Sequence, residues 1–473
     1  MKTEVVNPNV SNFIKSLRDV GYTLEVAAAD ILDNSITAKA KNIKIEFLPE
    51  PEMVFGLLDD GDGMTTKQLV EAMRLATKDP DQERDNNDLG RFGLGLKTAS
   101  FSQCKKLTVI TKRNRIVSAK QWDLDYIEVT NEWLLITPEK AEFEDLPLYG
   151  ELLKQKSGTL VIWQKIDHFH KKDFSETIEN LRNHLSLVFH RFLEGGVGVK
   201  ALKISINNNL LKPFNPFNPS HAATQQLAEE KILINEKTIK IQPYILPHHS
   251  KISQTDYEKY GTNEGYTKSQ GFYLYRANRL MIYGTWWGLH KSIDAHKLVR
   301  IKIDISNDQD KYWGIDIKKS TASPINELKS DLKRVIRQVT EKGSRPFTGR
   351  GRKIEDKFTT RFWELAAHNE GIKFILNSKH PIFERLYSDI SDESRELLNL
   401  YLMGIQAYLP LDAIQAQLQQ NPHKIRQEEA LGEEEVEKLV ETLKSSGLDQ
   451  EYIDSLLKTE IFKNRKELLI NGK

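Results

Sequence analysis

Three glycines and a lysine form the stretch of this sequence that is best suited to hold a phosphate. Gly90, Gly93 and Gly95 stand in a G-x-x-G-x-G spacing, and Lys97 follows them. Glycine lets the backbone approach a phosphate closely and reaches positive φ without strain. The residues LKTASF that come next predict a helix start, whose free N–H groups attract an anion. The stretch predicts a phosphate site, with an ordinary glycine-rich turn as the alternative.

A second group of polar residues lies upstream on a helix that is otherwise apolar. The segment LEVAAADILDNSITA carries Asp30, Asp33 and Asn34 among alanines and leucines. Asp30 and Asn34 are four residues apart, so they share one face of a helix and can converge on one ligand. A solvated polar stripe is the alternative. The small alanines favour close packing, and buried carboxylates need a partner or a function.

A third candidate is the acidic turn that follows the predicted strand MVFGLL. It begins at Asp59 and has the form D-x-G-x-G, with glycines at Gly61 and Gly63. A calcium loop would need a glutamate about twelve residues from its start, but Val70 stands there. We therefore expect a turn in which Asp59 presents its carboxylate to a ligand while the two glycines leave space.

Composition limits the class of protein. The 473 residues predict two or three domains. With 68 basic and 67 acidic residues, whole-chain charge neither favours nor excludes nucleic acid as a partner. The single cysteine, Cys104, excludes an internal disulfide and fits a reducing compartment. The sequence shows no signal peptide and no apolar run of about 20 residues, so we expect a soluble cytoplasmic protein without a membrane segment.

The predicted elements give an α+β chain with four segments. Helices and strands alternate over residues 1–170, and a second strand-rich segment with helices follows over 171–340. A basic, glycine-containing linker, EKGSRPFTGRGRK, spans 341–353. Residues 354–473 are predicted to be mostly helical, including the segment RFWELAAHNE. The polar segment 78–88 before the glycines predicts a mobile loop.

The motifs in this order resemble the GHKL superfamily of ATPases, which includes gyrase B, the ninety-kilodalton heat-shock chaperone, histidine kinases and MutL. The order is an Asn-bearing helix, D-x-G-x-G, a polar loop, a glycine box and a Gly-Thr strand. Within the superfamily, LGRFGLGLKTAS, SGTLVIW and LKPFNPF are most similar to the MORC type. The resemblance implies a Bergerat-type ATPase α/β sandwich over 1–170, a transducer α/β domain over 171–340, and ATP with Mg²⁺ as cofactors.

The resemblance also implies roles for individual residues. Asn34 matches the magnesium-ligating asparagine, and Asp30 stands where related branches usually place the glutamate that orients the attacking water. Asp59 matches the aspartate that accepts from the adenine amino group. Aspartate at position 30 departs from the pattern by one methylene, which puts the rate in question. The nucleotide-binding positions implied are Asn34, Asp59, Gly61, Gly63, Met64, Gly90, Gly93, Gly95, Leu96, Lys97 and Thr159.

In the related branches a transducer lysine reaches the terminal phosphate. The segment WGIDIKKSTA supplies Lys318 or Lys319, and we favour Lys319 as this second catalytic residue. Two solvated lysines at a strand end are the alternative. Asn278 and Arg279 are interpreted as parts of a tight hairpin turn rather than of a site.

These observations predict an ATP-hydrolysing conformational switch that forms a homodimer in its ATP state. Residues 354–473 are candidates for contact with DNA or a partner protein, and a role in a restriction or anti-phage system is a further hypothesis. One alternative is a nucleotide-binding scaffold with little hydrolysis. The other is a histidine kinase, which would need a phospho-accepting histidine before the ATPase domain. The short segment before the Asn-bearing helix contains none.

Overall fold

The computed structural model describes most of the chain. Its described residues are 3–4, 9–75, 95–167, 173–196, 198–261, 265–316, 319, 321–348, 359–368, 371–420, 424–425, 431–445 and 449–470. Gly90, Gly93, the predicted mobile loop at 78–88 and Lys318 lie outside them. The chain divides into two compact units, one of residues 1–247 with 260–340 and the other of residues 248–259 with 341–473.

The first part of unit one is a mixed sheet with helices packed on it. Its helices are α1 (Val10–Arg18), α2 (Leu24–Thr37), α3 (Thr66–Met73), α4 (Gly95–Gln103), α5 (Leu124–Thr130), α6 (Tyr149–Lys154), α7 (Phe174–Val188) and α8 (His190–Glu194). Its strands are β1 (Asn42–Leu48), β2 (Val54–Asp59), β3 (Cys104–Arg113), β4 (Ile116–Asp123), β5 (Gly158–Ile166), β6 (Lys203–Ile206) and β7 (Asn209–Leu210). The strand order is β4-β3-β5-β2-β1-β6-β7.

Alternation of apolar residues explains the sheet. In β1, the side chains of Ile43, Ile45 and Phe47 are buried while their neighbours are more exposed, as expected for a strand with one face on the core. β6 pairs with β1 in parallel, and the core that begins at Ile14 continues to Leu211. The first structural layer therefore extends well past residue 170, the predicted end of the first domain, because β6 completes the same sheet.

The second part of unit one is a six-stranded sheet covered by one long helix. The strands are β8 (Gln225–Gln226), β9 (Glu230–Ile234), β10 (Lys237–Ile245), β11 (Gly271–Arg276), β12 (Arg279–Thr285) and β13 (Val299–Ile305), and the long helix is α10 (Asn326–Thr348). The intervening helix α9 (Gln254–Gly261) belongs mostly to unit two. The order is β12-β11-β13-β10-β8, and β9 also pairs with β10. The apolar face of this sheet packs with Leu328, Leu332 and Val335 of α10. α10 continues to Thr348, so the first part of the predicted linker 341–353 is helical.

The two sheets of unit one meet through an aromatic cluster. Leu187 of α7 packs with Phe217, Tyr273 and Tyr275 in one buried group. Arg191 of α8 lies over the Tyr275 ring, 3.7 Å from its centroid. These contacts hold the second sheet against the first, which is what allows residues from both to share one site.

Besides most of α9, the described residues of unit two form a hairpin and six further helices. The strands are β14 (Trp363–His368) and β15 (Gly371–Leu376), and the helices are α11 (Pro381–Asp389), α12 (Asp392–Ala407), α13 (Leu411–Gln420), α14 (Glu433–Ser445), α15 (Gln450–Leu456) and α16 (Glu467–Ile470). The prediction of a helix for RFWELAAHNE is wrong, because its residues Trp363–His368 form β14, which pairs antiparallel with β15. The mostly helical character predicted for this region otherwise holds among the described residues.

A helix that spans a membrane needs about 20 predominantly apolar residues. None of the described helices meets that requirement alone; the bent pair Asp392–Ala407 and Leu411–Leu418 meets it only when the two helices are taken together.

Candidate active site

Helix α2 supplies the acidic centre of the site. Its alanines Ala27, Ala28 and Ala29 are fully buried, and their small side chains let α4 pack closely against α2. Asp30 and Asp33 are buried on the same helix. Burial of two carboxylates without counter-charges would strongly destabilise the fold, so this helix requires cations from elsewhere in the chain.

Those cations come from the second part of unit one. Lys319, in the connection between β13 and α10, places its Nζ 3.1 Å from Oδ1 of Asp30 and 2.6 Å from Oδ2 of Asp33. Arg279, the first residue of β12, lies 3.5 Å from Asp30 and 2.8 Å from Asp33. All four side chains are buried. We call these four residues the charge cluster; it contains two positive and two negative groups.

Not every contact in the charge cluster is a hydrogen bond. Arg279 Nε and Asp33 Oδ1 are 2.8 Å apart, yet neither atom has a hydrogen-bond partner with acceptable geometry among the described residues. Their contact is therefore an ion pair. Lys319, in contrast, donates hydrogen bonds to both carboxylates. The carboxylates are held most directly by the lysine.

The carboxylate of Asp30 has two further neighbours that bear on chemistry. The hydroxyl of Tyr22 donates to Oδ2 at 3.1 Å. Gly95 begins α4, and a Cβ built on it would lie 3.6 Å from the same oxygen. The start of α4 therefore lies directly beside the carboxylate. Asn34, one turn further along α2, is exposed and its Nδ2 donates to the Asp30 carbonyl.

Burial and the charges of the cluster together shift the pKa of Asp30 and of the nearby His184. Burial raises the pKa of the Asp30 carboxyl above its usual value, while Lys319 and then Arg279 oppose that shift. Burial and the positive charge of Arg279 lower the pKa of His184 to about 4. His184 is thus neutral at physiological pH and adds no third positive charge to the site.

The second part of the candidate site is at the end of β2. Asp59 is buried, and its Oδ1 accepts from the backbone N–H of Gly61 at 2.9 Å and of Thr159 at 3.3 Å. Its Oδ2 accepts from the hydroxyl of Ser35 at 2.9 Å. The hydroxyls of Thr111 and Thr159 lie 3.2 Å apart beside it. Ser35 belongs to α2, so one helix orients both halves of the site.

The glycines of the acidic turn have a different role from the one that the sequence indicated. A Cβ on Gly61 would lie 2.7 Å from the Ala38 carbonyl oxygen, and one on Gly63, where φ is +62°, would lie 2.2 Å from the Lys112 carbonyl oxygen. The space that a side chain would need is thus filled by neighbouring backbone. These glycines let the turn pack, and thereby fix Asp59.

The structure also describes Met64, Leu96 and Lys97, three further positions at which the sequence predicts nucleotide binding. Met64 donates its backbone N–H to the Thr111 hydroxyl at 2.9 Å, beside the Asp59 region. Leu96 is half-buried in α4. The ammonium of Lys97 is buried and donates to the Ala72 carbonyl oxygen at 3.0 Å. The structure thus brings Asp30, Asn34, Gly95 and Lys319 together, and Asp59 with Thr159.

Two residues of the site were missed by the sequence interpretation. The sequence assigns no role to Asp33, and it predicts Arg279 only as a residue of a hairpin turn. Arg279 and Asp30 are 249 positions apart in the chain. The only sequence signal for Asp33 is its place among buried alanines, and no local pattern marks Arg279.

The buried carboxyl of Asp59 predicts a pH dependence of stability. Burial raises its pKa to about 6, against about 3.9 in an unfolded chain. The folded state therefore holds the proton more tightly, so the stabilisation that this provides is complete below pH ~4 and is lost as pH rises through ~6. We expect the free energy of unfolding of the wild type, relative to Asp59→Asn, to fall by up to about 3 kcal/mol between pH 4 and 7.

Urea unfolding of both proteins over this pH range measures the difference. Subtracting the variant removes the contribution of every other titrating group. A difference that stays constant from pH 4 to 7 would show that Asp59 is not a desolvated carboxyl.

Parts of this chain are similar to known proteins. The family model described as "Histidine kinase-, DNA gyrase B-, and HSP90-like ATPase" matches residues 22–159. The "ATPase morc-1" of Caenorhabditis elegans is 30% identical over 119 residues, which cover 25% of this chain and 14% of that protein. The "DNA mismatch repair protein MutL" of Dictyoglomus turgidum is 34% identical over 85 residues, which cover 18% and 15% respectively.

A solved structure titled "Crystal Structure of N terminal domain of a DNA repair protein" is also similar. It has a TM-score of 0.42 and 16% identity, and the match covers 72% of this chain and 99% of that one. The regions matched in the MORC ATPase and in MutL are only 14% and 15% of those two proteins. The family match itself includes Asp30, Asp59 and Thr159. The resemblance drawn from the motifs is confirmed: residues 22–159 match the GHKL ATPase family model, and parts of the chain are similar to a MORC ATPase and to MutL.

Proposed function

We propose that this protein is an ATP-hydrolysing conformational switch in which Lys319 reports the state of the nucleotide. The observation that carries the proposal is the contact between Lys319, which follows the second sheet, and Asp30, on the first layer of the ATPase domain. Lys319 belongs to the second part of unit one, and Asp30, the candidate base, belongs to the first part. A change in their contact during the reaction would therefore change how the two parts are attached.

The donor set fits an adenine nucleotide with magnesium. Asp59 offers a buried carboxylate that can accept from the adenine amino group, and the start of α4 at Gly95 offers backbone N–H groups to phosphate. Among the described residues, no group of three or more His, Cys, Asp or Glu side chains is placed to hold a metal alone. Asn34, whose amide nitrogen is engaged with Asp30, can offer its amide oxygen. Magnesium, when bound, would neutralise phosphate charge.

Asp30 is the proposed base that orients the attacking water. Phosphoryl transfer requires an aligned nucleophile and stabilised charge more than covalent assistance. The terminal phosphate of ATP is anionic and would compete with Asp30 and Asp33 for Lys319. When Lys319 turns to the phosphate, Asp30 is released to accept from water. Arg279 remains beside Asp33 and keeps the second sheet attached to α2.

This competition links nucleotide state to shape. Lys319 lies between β13 and α10, and Arg279 begins β12 of the same sheet. When Lys319 moves toward the phosphate, its contact with the aspartates of α2 is lost. The contact of Arg279 with α2 stays in place. We propose that the resulting rotation favours pairing of two ATPase domains in the ATP state, as a homodimer.

The proposed biological setting is action on DNA. One of the two relatives is named a DNA mismatch repair protein, which favours action on DNA. Residues 354–473 would contact DNA or a partner protein, with a restriction or anti-phage system as the setting. We propose a cytoplasmic location, because ATP and magnesium are abundant in the cytoplasm.

A nucleotide-binding scaffold with little hydrolysis is the second candidate. It is favoured by aspartate at position 30, where the related branches usually have the longer glutamate. Nucleotide binding is common to both candidates, and turnover separates them.

Asp59→Asn tests the nucleotide site itself. Asparagine can still accept from Gly61 and Thr159, but it replaces an acceptor oxygen by an amide and removes the charge. Loss of a charge-assisted hydrogen bond in a buried site costs about 1.5–3 kcal/mol, which is roughly one to two decades in affinity. We expect the variant to bind ATP at least tenfold more weakly by calorimetry while it remains folded.

The neighbouring aspartate provides the matched control. Asp60 accepts from the backbone of Lys41 and Asn42 and has no contact with the Thr159 backbone among those described. Asp60→Asn should leave ATP affinity unchanged. Equal affinity for wild type and Asp59→Asn would remove Asp59 from the site.

A further inference from the structure

A cavity of about 570 Å³ lies between α8 and the second sheet of unit one. Arg191 and Glu194 of α8 line one wall, and Lys240 of β10 with Lys302 and Asp304 of β13 line the other. Cavities that hold small ligands usually measure about 300–1,000 Å³. No residue of the charge cluster is among the described residues that line this cavity. We call it the α8 cavity; it has room for a small molecule and is separate from the nucleotide site.

Three cations surround a single carboxylate in the sheet wall of this cavity. Lys302 stands two residues before Asp304 in β13, so both side chains lie on the same face of the sheet. Lys240 lies directly opposite Asp304 in the pairing of β10 with β13. Arg191 donates to both oxygens of the Asp304 carboxylate. Within the part of the chain that the structure describes, neither lysine ammonium has an ion pair or a hydrogen bond.

The ammonium of Lys302 is also partly removed from water. Its side chain is half-buried, and its Nζ lies 5.7 Å from the centroid of the Tyr244 ring. Burial lowers the pKa of Lys302; Asp304 opposes this shift, and the positive charge of Arg191 adds to it. A charged group that is taken out of water without a partner destabilises the protein. An anion in the α8 cavity would supply the missing partner.

The two lysines are placed to share one anion. Because Lys240 is opposite Asp304, Lys302 is its diagonal neighbour, and diagonal positions are about 7–8 Å apart, within reach of long side chains. Lysine binds phosphate as a point charge on a flexible stem. The hydroxyl of Thr238 and the side-chain amide of Asn278 also line the cavity and can donate to further oxygens. This set of donors suits a phosphate group.

The charge balance of the cavity favours a small ligand over a nucleic acid. Its lining has three cations, but it also has the carboxylates of Glu194 and Asp304. Asp304 is neutralised by Arg191, whereas Glu194 accepts only from the amide of Asn215 and lies 3.5 Å from the His190 ring. A nucleic acid is bound by many cations that neutralise successive phosphates, and Glu194 would repel those phosphates. One phosphate or pyrophosphate group fits this lining better.

We propose that the α8 cavity binds a small molecule that carries a phosphate or pyrophosphate group, held by Lys240 and Lys302. This goes beyond the proposed function, in which the nucleotide lies beside α2, the start of α4 and Asp59. An occupant of the α8 cavity would contact α8 and the second sheet together.

Calorimetry of the full chain with inorganic pyrophosphate in excess magnesium tests the site. A saturating non-hydrolysable ATP analogue is present, so that the nucleotide site is already occupied. We expect saturable binding of pyrophosphate under these conditions. Absence of binding, or binding that occurs only when the analogue is left out, would overturn the proposal. If the chain does not bind the analogue, the proposed function fails, and the variants below still decide whether pyrophosphate lies in the α8 cavity.

Lys302→Met and Lys240→Met remove one charge each and keep an unbranched stem. Each should weaken pyrophosphate binding at least tenfold, because each loses a charge-assisted hydrogen bond to the ligand. Lys302→Met should unfold at the wild-type temperature or above it, since the charge that it removes has no partner. Lys333→Met is the matched control: Lys333 is exposed on α10, which packs on the other face of the same sheet. It should bind pyrophosphate as the wild type does.

Three results would contradict this assignment. Wild-type affinity in both Lys240→Met and Lys302→Met would place the ligand elsewhere. An equal loss in Lys333→Met would show a diffuse attraction of anions rather than a site. Displacement of pyrophosphate by a duplex DNA oligonucleotide, lost in Lys302→Met, would assign the lysines to a nucleic-acid backbone and overturn the small-molecule site.

Discussion

Asp30→Asn is expected to bind ATP with near wild-type affinity and to hydrolyse it at least 100-fold more slowly. A positioned general base contributes roughly 10²- to 10⁴-fold to a rate. The amide keeps the shape of the carboxylate and its contact with Tyr22, but it cannot take a proton from water. Phosphate release at saturating ATP measures turnover, and calorimetry with a non-hydrolysable analogue measures binding.

Asp33→Asn is the matched control for this experiment. Asp33 lies on the same helix, is equally buried and contacts the same two cations. If Asp30 is the base, Asp33→Asn should retain turnover within about tenfold of the wild type, because general-base catalysis would be intact. Loss of turnover in Asp33→Asn, with Asp30→Asn active, would assign the base to Asp33. Wild-type turnover in both would leave the scaffold as the better description.

The parts of this site that are local in sequence were predictable. Asp30 and Asn34 share a helix face because of their spacing, and Asp59 comes at the end of a strand whose apolar alternation is plain. The structure places Asp59 at the end of β2 and Asp30 in the buried face of α2. Helical periodicity and strand alternation act over a few residues, so one sequence is sufficient to find them.

The parts that depend on distant contacts were not predictable. The sequence around Arg279 predicts only a hairpin turn. Packing of the second sheet on α7 is what brings Arg279 to α2. β14 reads as a helix because pairing with β15 overrides its local preference. The first layer extends to β7 because β6 pairs with β1, about 160 residues earlier in the chain. Each of these is a pairing of segments that no short window contains.

The balance of charge in the site explains why both cations are needed at rest. Two buried carboxylates face two buried cations, and removal of one partner of a buried pair costs about 3–5 kcal/mol. Loss of either Lys319 or Arg279 should therefore destabilise the fold by a similar amount. Stability alone cannot distinguish a lysine that senses phosphate from an arginine that attaches two layers. Discrimination between ATP and ADP can.

Lys319→Ala is expected to lose the preference for ATP over ADP, and its turnover should fall at least 100-fold. The lysine is the only cation of the charge cluster that the proposal brings to the terminal phosphate, which ADP lacks. A charge-assisted hydrogen bond to that phosphate is worth about 1.5–3 kcal/mol, or roughly one to two decades in relative affinity. Loss of one donor to developing charge costs about 10²- to 10³-fold in rate. Calorimetry with ADP and with a non-hydrolysable ATP analogue gives the ratio of dissociation constants.

Arg279→Ala completes the comparison, because it removes the same charge from the same cluster. It should be as destabilised as Lys319→Ala in thermal unfolding, yet keep the wild-type ratio of ADP to analogue dissociation constants within about threefold. If both variants lose the ratio equally, the cluster acts as one structural unit and neither cation senses phosphate. If Lys319→Ala keeps the ratio, the lysine is only a counter-ion for Asp30 and Asp33. A loss confined to Lys319→Ala would mean that the ion pair seen here is the resting position of a sensor, displaced from its carboxylates by the nucleotide.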